Sequence, residues 1–349
     1  MRIKFIVLIS IVCFLVSCND SEPIPEPTLP PEINTETFHY ELPVIFHVLY
    51  ADKNDRDQYV SKERLAEVLA VVNNLYKNAD MNLEFTLATK DPKGNTLAEP
   101  GVERIPWTGE YPIDCDNFMN DNKSTYTNLL WDPNLYINVM MYNFKPEAGS
   151  NTTTLGVSHL PYTTSTSQLD GLASSSPILK LENLKYAYCL SINSLFTDIK
   201  YQSTQTSYSP TDVTVTLAHE LGHYLGLFHT FAEDQKTGEI LDDCADTDYC
   251  ADTKSYAKPA YDSWLDKLDR NKEYTLEYLS QRNNCDGVEF ISYNIMDYSY
   301  GFLNQLTPDQ CTRIRNVLSY SPLIPGPKKT SSPTRSISGP MDLPISVIK

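Results

Sequence analysis

Residues 219–229 read His-Glu-Leu-Gly-His-Tyr-Leu-Gly-Leu-Phe-His, with histidines at i, i+4 and i+10. On a helix, His219 and His223 are one turn apart and project from the same face, so both imidazoles can reach one metal ion. Gly226 has no Cβ, and the helix can therefore stop there and the chain can turn sharply. That turn returns His229 as a third ligand. The spacing predicts a three-histidine metal site.

The chemistry of this ligand set favours one zinc ion in a catalytic role. Three neutral nitrogen ligands leave the fourth tetrahedral position of zinc open to water. Zinc lowers the pKa of that water and polarises a carbonyl group. Glu220 lies next to the first ligand, and its carboxylate can act as general base without binding the metal. An incidental histidine pair on a buried helix is the alternative, and the third histidine argues against it.

A second motif lies downstream, where residues 294–299 read Asn-Ile-Met-Asp-Tyr-Ser. A long zinc motif followed by a methionine turn is the signature of metzincins. The chain resembles the pappalysin family of metzincins, of the ulilysin and cytophagalysin type, over about residues 42–320. The resemblance is also carried by residues 42–50, 131–138, 155–161 and 229–231.

This resemblance implies an α/β (α+β) fold class with a metzincin-type catalytic domain. A twisted mixed sheet, a backing helix and an active-site helix would lie above an irregular lower subdomain, which carries the methionine turn and a C-terminal helix. Met296 would form an apolar floor beneath the zinc, and Tyr298 would donate to the oxyanion. The resemblance favours a disulfide between Cys244 and Cys285. It implies zinc-dependent hydrolysis of peptide bonds.

The two ends of the chain are predicted to lie outside the catalytic domain. Residues 1–17 combine basic residues with a short apolar run and are typical of a signal peptide. They end at Leu-Val-Ser before Cys18, which resembles a bacterial lipobox, so Cys18 would be lipidated; a secretory signal with an incidental cysteine is the alternative. Residues 18–37 read as a proline-rich acidic tether. The peptidase domain would span 38–322, and 323–349 would be a flexible tail.

Composition limits the partners and the compartment. A formal net charge of −17 argues against nucleic acid and anionic lipid headgroups, so membrane contact would come through the N-terminal lipid alone. The expected location is extracytoplasmic, at the outer membrane or cell surface. An even number of cysteines would remain after processing, which indicates disulfides in an exported chain. A structural zinc site is the competing interpretation, although paired Cys-x-x-Cys spacing is absent. These cysteines are Cys115, Cys189, Cys244, Cys250, Cys285 and Cys311.

Hydrophobic periodicity and capping signals predict the main elements. Strands are expected at 43–50, 82–88, 134–141 and 155–160, and a helix at 61–78. A capping box with proline at 209–212 is expected to begin the helix of the zinc motif. A second box at Thr307 is expected to begin a helix that reaches about residue 320. The strand at 155–160 could pair with an extended substrate as a sheet edge.

The segment between His229 and Thr253 is rich in acidic residues. Carboxylates at this density can bind calcium, and relatives in the resembled family do; a solvated acidic loop is the alternative. Cys250 and Lys254 depart from the family pattern in this segment. The acidic residues are Glu233, Asp234, Glu239, Asp242, Asp243, Asp246, Asp248 and Asp252.

Three functions are compatible with these motifs. A zinc endopeptidase acting on extracytoplasmic proteins or peptides is the first. A surface lipoprotein that binds peptides in the same cleft without cutting them is the second, and the intact Glu220 disfavours it. A metal-dependent hydrolase of non-peptide amides is the third, since the metal site alone does not exclude it.

Overall fold

A computed structural model of the protein describes most of the chain beyond residue 33. The predicted signal peptide, Cys18 and most of the tether lie outside the described residues. Within the described ranges, no helix is both long and apolar enough to cross a membrane. The described residues are 34–35, 37–77, 81–147, 149, 153–176, 178–197, 211–235, 237–329 and 337–349.

Most of the strands lie in the first half of the chain, and most of the helices lie in the second half. The strands are β1 (Tyr40–Tyr50), β2 (Leu83–Leu87), β3 (Val102–Pro106), β4 (Ile137–Tyr142), β5 (Gly156–His159), β6 (Thr163–Thr164), β7 (Ser174–Ser175), β8 (Leu190–Asn193), β9 (Gln281–Asn283), β10 (Glu289–Ile291) and β11 (Val347–Ile348). The α-helices are α1 (Lys62–Lys77), α2 (Cys115–Asn120), α3 (Val213–Tyr224), α4 (Lys258–Asp266), α5 (Leu276–Leu279) and α6 (Pro308–Tyr320).

The central sheet is mixed, as predicted. Its order is β11-β5-β8-β4-β1-β2, and β3 pairs with the second half of β1. The pairs among β1, β2, β3, β4 and β8 are parallel, whereas β5 is antiparallel to both β8 and β11. Successive residues of β1 from Val44 to Leu49 are fully buried, so both faces of this strand are covered. Such continuous burial is typical of parallel strands flanked by helices.

Helix α1 confirms the prediction of a backing helix at 61–78. Its buried side chains recur with helical period, from Leu65 to Tyr76. The Tyr76 hydroxyl donates to the Ala218 carbonyl of α3 at 2.9 Å, and this bond is buried. The backing helix therefore holds the helix of the zinc motif from behind.

Helix α3 begins later than the capping box at 209–212 predicts. It starts at Val213, and its N-cap is Asp212, whose side chain accepts from the Thr214 amide at 2.8 Å. The prediction that the cap and first turn begin at residue 209 is wrong; an aspartate is an equally good N-cap residue and lies closer to the apolar run. Residues 209 and 210 lie outside the described residues. All twelve residues of α3 are buried, so its histidines are shielded from bulk solvent.

Helix α6 has the predicted start. Thr307 accepts from the Gln310 amide, while the Gln310 side chain accepts from the Thr307 amide at 2.9 Å. This reciprocal capping box satisfies two backbone donors at the helix N-terminus. The helix ends at Tyr320. The region between α3 and α6 carries only short elements, as expected for an irregular lower subdomain.

The C-terminal segment departs from the prediction of a flexible tail at 323–349. Residues 337–349 are packed on the sheet, and β11 pairs with β5. Met341, Leu343, Ile345 and Val347 pack against the hydrophobic core. The prediction is wrong for these residues because alternate apolar side chains bury on the sheet despite the surrounding prolines. It follows that β5 is not an open edge.

Candidate metal centre and active-site cleft

The three histidines of the zinc motif converge on one point. The Nε2 atom of His223 lies 2.9 Å from that of His219 and 3.1 Å from that of His229. The third separation, between His219 and His229, is 3.2 Å. Among the described residues, these histidines are the only group of three or more potential metal ligands within 4.8 Å of one another.

The opposite ring nitrogens determine the tautomers. His219 Nδ1 lies 2.8 Å from the Ile295 carbonyl, and His223 Nδ1 lies 2.8 Å from the Leu227 carbonyl. A carbonyl only accepts, so each Nδ1 carries the proton and each Nε2 presents a lone pair. Burial lowers the pKa of His219 to about 4 and that of His223 well below its ordinary value, which keeps both rings neutral. Neutral imidazoles with converging lone pairs are a ligand set and not a hydrogen-bond network.

The arrangement fits a tetrahedral zinc ion. Zinc–nitrogen bonds of 2.0–2.1 Å place two ligand nitrogens of a tetrahedron roughly 3.3 Å apart. The observed separations of 2.9–3.2 Å are close to this value. The buried lone pairs otherwise face one another without a proton between them, which is unfavourable unless a cation lies between them.

A carboxylate holds the third histidine. His229 Nδ1 donates to Glu233 Oε2 at 2.7 Å, and both side chains are buried. Burial raises the pKa of Glu233 to about 7. The carboxylate orients the ring and increases its basicity, as carboxylates beside metal-bound histidines do. Glu233 is thus part of the metal centre, although its sequence context assigned it to the acidic calcium segment.

The chain reverses direction at Gly226 to return His229. Gly226 has φ +94° and donates to the His223 carbonyl at 2.8 Å, while the Leu227 amide donates to the Gly222 carbonyl at 2.9 Å. These two bonds define a Schellman motif, which requires a left-handed residue. A Cβ at this position would also lie 2.8 Å from Val317 of α6. Gly226 therefore ends α3 and leaves room for α6 to pack against it.

The methionine turn lies beneath α3. Met296 is fully buried, and a Cβ at Gly222 would lie only 2.4 Å from its sulfur. Gly222 is therefore needed for the close approach of the helix to the methionine. The turn also supplies the Ile295 carbonyl that orients His219. Met296 thus supports the ligand residues by packing.

A buried ion pair anchors this turn. Arg282 lies 3.1 Å from Asp297, and both side chains are fully buried. Asp297 accepts from the Tyr256 hydroxyl at 2.5 Å and from the Tyr298 amide at 2.7 Å. Arg282 donates to the Tyr300 carbonyl at 2.8 Å. The pair connects the strand at 281–283 to the turn beneath the metal centre.

We predict that Arg282→Met lowers the free energy of unfolding by about 3–5 kcal/mol, because it leaves the Asp297 carboxylate buried without its cation. Urea denaturation followed by circular dichroism measures the change. The exposed Arg270 offers the control Arg270→Met, which should stay within about 0.5 kcal/mol of wild type. A loss below about 1 kcal/mol for Arg282→Met would contradict the assigned role.

Glu220 faces the cleft from the helix turn that bears His219. It is buried, and its Oε2 atom has no hydrogen-bond partner among the described residues. Burial raises the pKa of Glu220 well above its ordinary value. A Cβ at Gly156 would lie 2.6 Å from the Glu220 carboxylate, so only glycine leaves room there. An unpartnered buried carboxylate oxygen beside three metal ligands is placed to handle protons.

Tyr298 lies beside the rings of His219 and His229 and lines the same cleft as Glu220. Its ring centroid is 4.4 Å from that of His229 and 5.4 Å from that of His219. Burial and the nearby carboxylates of Glu220 and Glu233 raise the pKa of Tyr298, which keeps the phenol protonated and able to donate. Its hydroxyl donates to the main-chain carboxylate of Lys349.

These side chains line a cleft of about 540 Å³. His219, Glu220 and Tyr298 contribute to its wall together with Lys258 and Lys349. The Lys258 ammonium lies 5.8 Å from the Tyr298 ring centroid and 2.6 Å from Asp262. Lys258 and Lys349 were not among the predicted site residues because neither lies near a motif.

The other predicted residues lie outside the centre. Cys244 and Cys285 form a disulfide, as the resemblance implies, whereas Cys115, Cys189, Cys250 and Cys311 are not joined in disulfides. His159 is buried with its ring nitrogens 2.8 Å and 3.0 Å from the carbonyls of Cys189 and Met119, so it is a core histidine.

The chain is similar to several known proteins. Residues 192–319 match the model of the peptidase M43 family, described as pregnancy-associated plasma protein-A. Extracellular metalloproteases of Arthroderma benhamiae and Trichophyton verrucosum are each 36% identical over 102 residues, which is 28% of this chain and 29% of theirs. The chain thus aligns with under a third of these relatives. Mature mirolysin of Tannerella forsythia in complex with a cleaved peptide aligns with a TM-score of 0.49 at 22% identity, over 80% of this chain and 91% of mirolysin.

Proposed function

We propose that the protein is a zinc-dependent endopeptidase, because residues 192–319 match the peptidase M43 family. The observation that carries the proposal is the convergence of His219, His223 and His229 on one point, with Glu220 beside them. Three buried Nε2 lone pairs lie 2.9–3.2 Å apart, and each Nδ1 is engaged by a carbonyl or a carboxylate. The names of the extracellular metalloprotease relatives support the same activity.

His219, His223 and His229 would hold a zinc ion, which would supply a Lewis acid for the scissile carbonyl and would lower the pKa of the attacking water. Glu220 accepts the proton of that water and delivers it to the leaving nitrogen. The Tyr298 hydroxyl donates to the oxyanion as charge develops there. Glu220 is buried, and the lower local dielectric strengthens its electrostatic interactions.

Cleavage of a proteome-derived peptide library by the purified zinc-loaded chain tests the proposal. We expect internal cleavage that a zinc chelator abolishes and that added zinc restores. A peptide-binding module on the same scaffold would retain peptides without new termini. Hydrolysis confined to small non-peptide amides would favour the third function instead. Either result would overturn the endopeptidase proposal.

We further propose that the chain is an extracytoplasmic lipoprotein anchored through Cys18, as its N-terminal sequence supports. The curated relatives are named extracellular, which agrees with an extracytoplasmic location. Cys18→Ala is expected to release the protein from bacterial membranes or to block its maturation, and membrane fractionation measures this. Mass spectrometry that finds an unmodified mature N-terminus at another residue would contradict the anchor.

Calcium binding in the acidic segment stays a prediction. Its best support is Asp248, which is buried and whose Oδ2 has no hydrogen-bond partner among the described residues. Burial, with Asp246 contributing, raises the pKa of Asp248 to about 7, and a bound cation would stabilise the ionised form. Thermal denaturation with calcium and with a calcium chelator tests it, and equal melting temperatures would contradict it.

A further inference from the structure

Residues 337–349 approach the metal centre along the sheet. Val347 lies opposite His159 and Ile348 opposite Ser158 in an antiparallel pair, and the Leu160 amide donates to the Ser346 carbonyl at 2.9 Å. Because the pairing is antiparallel, the residue after Ile348 lies nearer to Gly156, which packs against Glu220. An extended peptide that adds a strand to a sheet follows such a path, with main-chain bonds for affinity and side-chain pockets for selectivity.

The main chain of Lys349 reaches the catalytic groups. One oxygen of the Lys349 main-chain carboxylate accepts from the Tyr298 hydroxyl, the group proposed above to bind the oxyanion. Lys349 also lines the same cleft as His219 and Glu220. The Lys349 carboxylate therefore occupies the neighbourhood of the carboxylate that a cleaved product would carry in place of the scissile carbonyl, and its side chain marks where the corresponding substrate side chain would go.

That side chain ends between two carboxylates. The Lys349 ammonium lies 2.8 Å from Asp116 and 3.2 Å from Glu147. Asp116 lies in the first turn of α2, whereas Glu147 follows β4, so two separate parts of the chain converge on one ammonium. Among the described residues, no other lysine, arginine or histidine forms an ion pair with either carboxylate. Both carboxylates are about half exposed, which leaves them accessible to a different lysine once Lys349 leaves.

We propose that Asp116 and Glu147 form a subsite for a basic side chain on the substrate residue that contributes the scissile carbonyl. Residues 337–349 occupy this subsite as a substrate would, and an incoming peptide displaces them. The proposal rests on the endopeptidase function proposed above. It names the substrate class: extended peptides with lysine or arginine immediately before the bond that is cut.

The expected preference is moderate. Exposed ion pairs contribute little because water screens them, and two such pairs correspond to roughly a fivefold preference for lysine over a neutral side chain of equal length. The selectivity between two peptides is the informative quantity. Each peptide binds only to molecules whose cleft is not occupied by residues 337–349. This fraction is the same for both peptides, so it cancels in the ratio of their kcat/KM values.

The test compares two peptides on the zinc-loaded full chain. Each carries the sequence of residues 341–348, then lysine or norleucine, then a common fluorescent extension, and mass spectrometry identifies the cut bond. Wild type is expected to cut after the variable residue and to prefer lysine about fivefold. Asp116→Asn with Glu147→Gln should bring the ratio close to one. Glu63→Gln with Glu67→Gln removes the same charge from exposed positions on α1 and should leave the ratio unchanged.

Lys349→Glu provides a separate test of the displaced segment. It places a negative charge beside Asp116 and Glu147, so residues 337–349 should bind the cleft less well. KM is then expected to fall by the same factor for both peptides. An unchanged KM, an equal wild-type rate on both peptides, or a preference that survives Asp116→Asn with Glu147→Gln would each overturn the proposal.

A binding measurement separates failure of the subsite from failure of the peptidase function. Zinc-loaded Glu220→Gln, titrated against the same labelled peptides by fluorescence anisotropy, should bind the lysine peptide about fivefold more tightly. That preference should vanish when Asp116→Asn and Glu147→Gln are added. Selective binding without cleavage by wild type would reject the endopeptidase function alone, whereas cleavage without selectivity would reject the subsite alone.

Discussion

Zinc-loaded Glu220→Gln is expected to lose nearly all turnover while retaining its metal and its fold. Loss of a general base costs about 10²–10⁴-fold, and Glu220 handles the proton both in water attack and in departure of the amine. Glutamine has the same shape, so the packing against Gly156 is preserved, and burial of a neutral amide is no more costly than burial of a carboxylate. Peptide cleavage rates and zinc content by elemental analysis measure the two effects separately.

Tyr298→Phe is expected to lose less activity than Glu220→Gln. It removes one oxyanion donor, which costs on the order of 10²–10³ in kcat in a preorganised site, and we expect a smaller loss because zinc shares the charge. The loss should fall on kcat with KM little changed. Equal activity of Tyr298→Phe and wild type would remove the hydroxyl from the mechanism. Substantial turnover by zinc-loaded Glu220→Gln would be more damaging, since no other general base is proposed.

Removal of two metal ligands is the second large effect. We expect wild type to bind about one zinc per chain and His219→Ala with His223→Ala to bind almost none, because one remaining imidazole cannot retain the ion. Activity should disappear with the metal. The melting temperature should also change, since zinc that binds the folded state stabilises it by mass action.

The exposed His39 provides the matched control for this experiment. Its Nδ1 atom is hydrogen-bonded to the Asn82 side chain at 2.9 Å, and it lies far along the sequence from the zinc motif. His39→Ala should therefore bind as much zinc as wild type and cleave peptides at the same rate. Full zinc occupancy in the double variant would show that the metal lies elsewhere, and it would remove the basis of the endopeptidase proposal.

The residues around the metal centre suggest why the lower region needs so little regular structure. The Ile295 carbonyl orients His219, Glu233 orients His229, and Met296 packs under Gly222. The Arg282–Asp297 pair and the disulfide between Cys244 and Cys285 hold the connecting segments. A few strong local interactions therefore replace helices and strands as the support for the ligands.

The sequence alone determined the elements whose signals are local. Helical periodicity predicted α1 within one residue at each end, and a reciprocal capping box predicted the start of α6. The i, i+4 and i+10 histidines with Gly226 are a local pattern too, because one turn of helix and one left-handed residue suffice to bring the three rings together. The resemblance to pappalysins added Met296, Tyr298 and the disulfide.

Only the tertiary structure decided the features that depend on residues distant in the chain. The pairing of β11 with β5 joins positions nearly 200 residues apart, and prolines around residues 323–344 concealed the alternating apolar side chains that make it possible. The roles of Gly156, Gly222 and Arg282 come from close approaches between separate segments. Helix caps, turns and the spacing of the metal ligands can be predicted from local sequence, because residues close together in the chain form them. It cannot specify which distant carboxylates meet Lys349, since that contact exists only after the sheet has assembled.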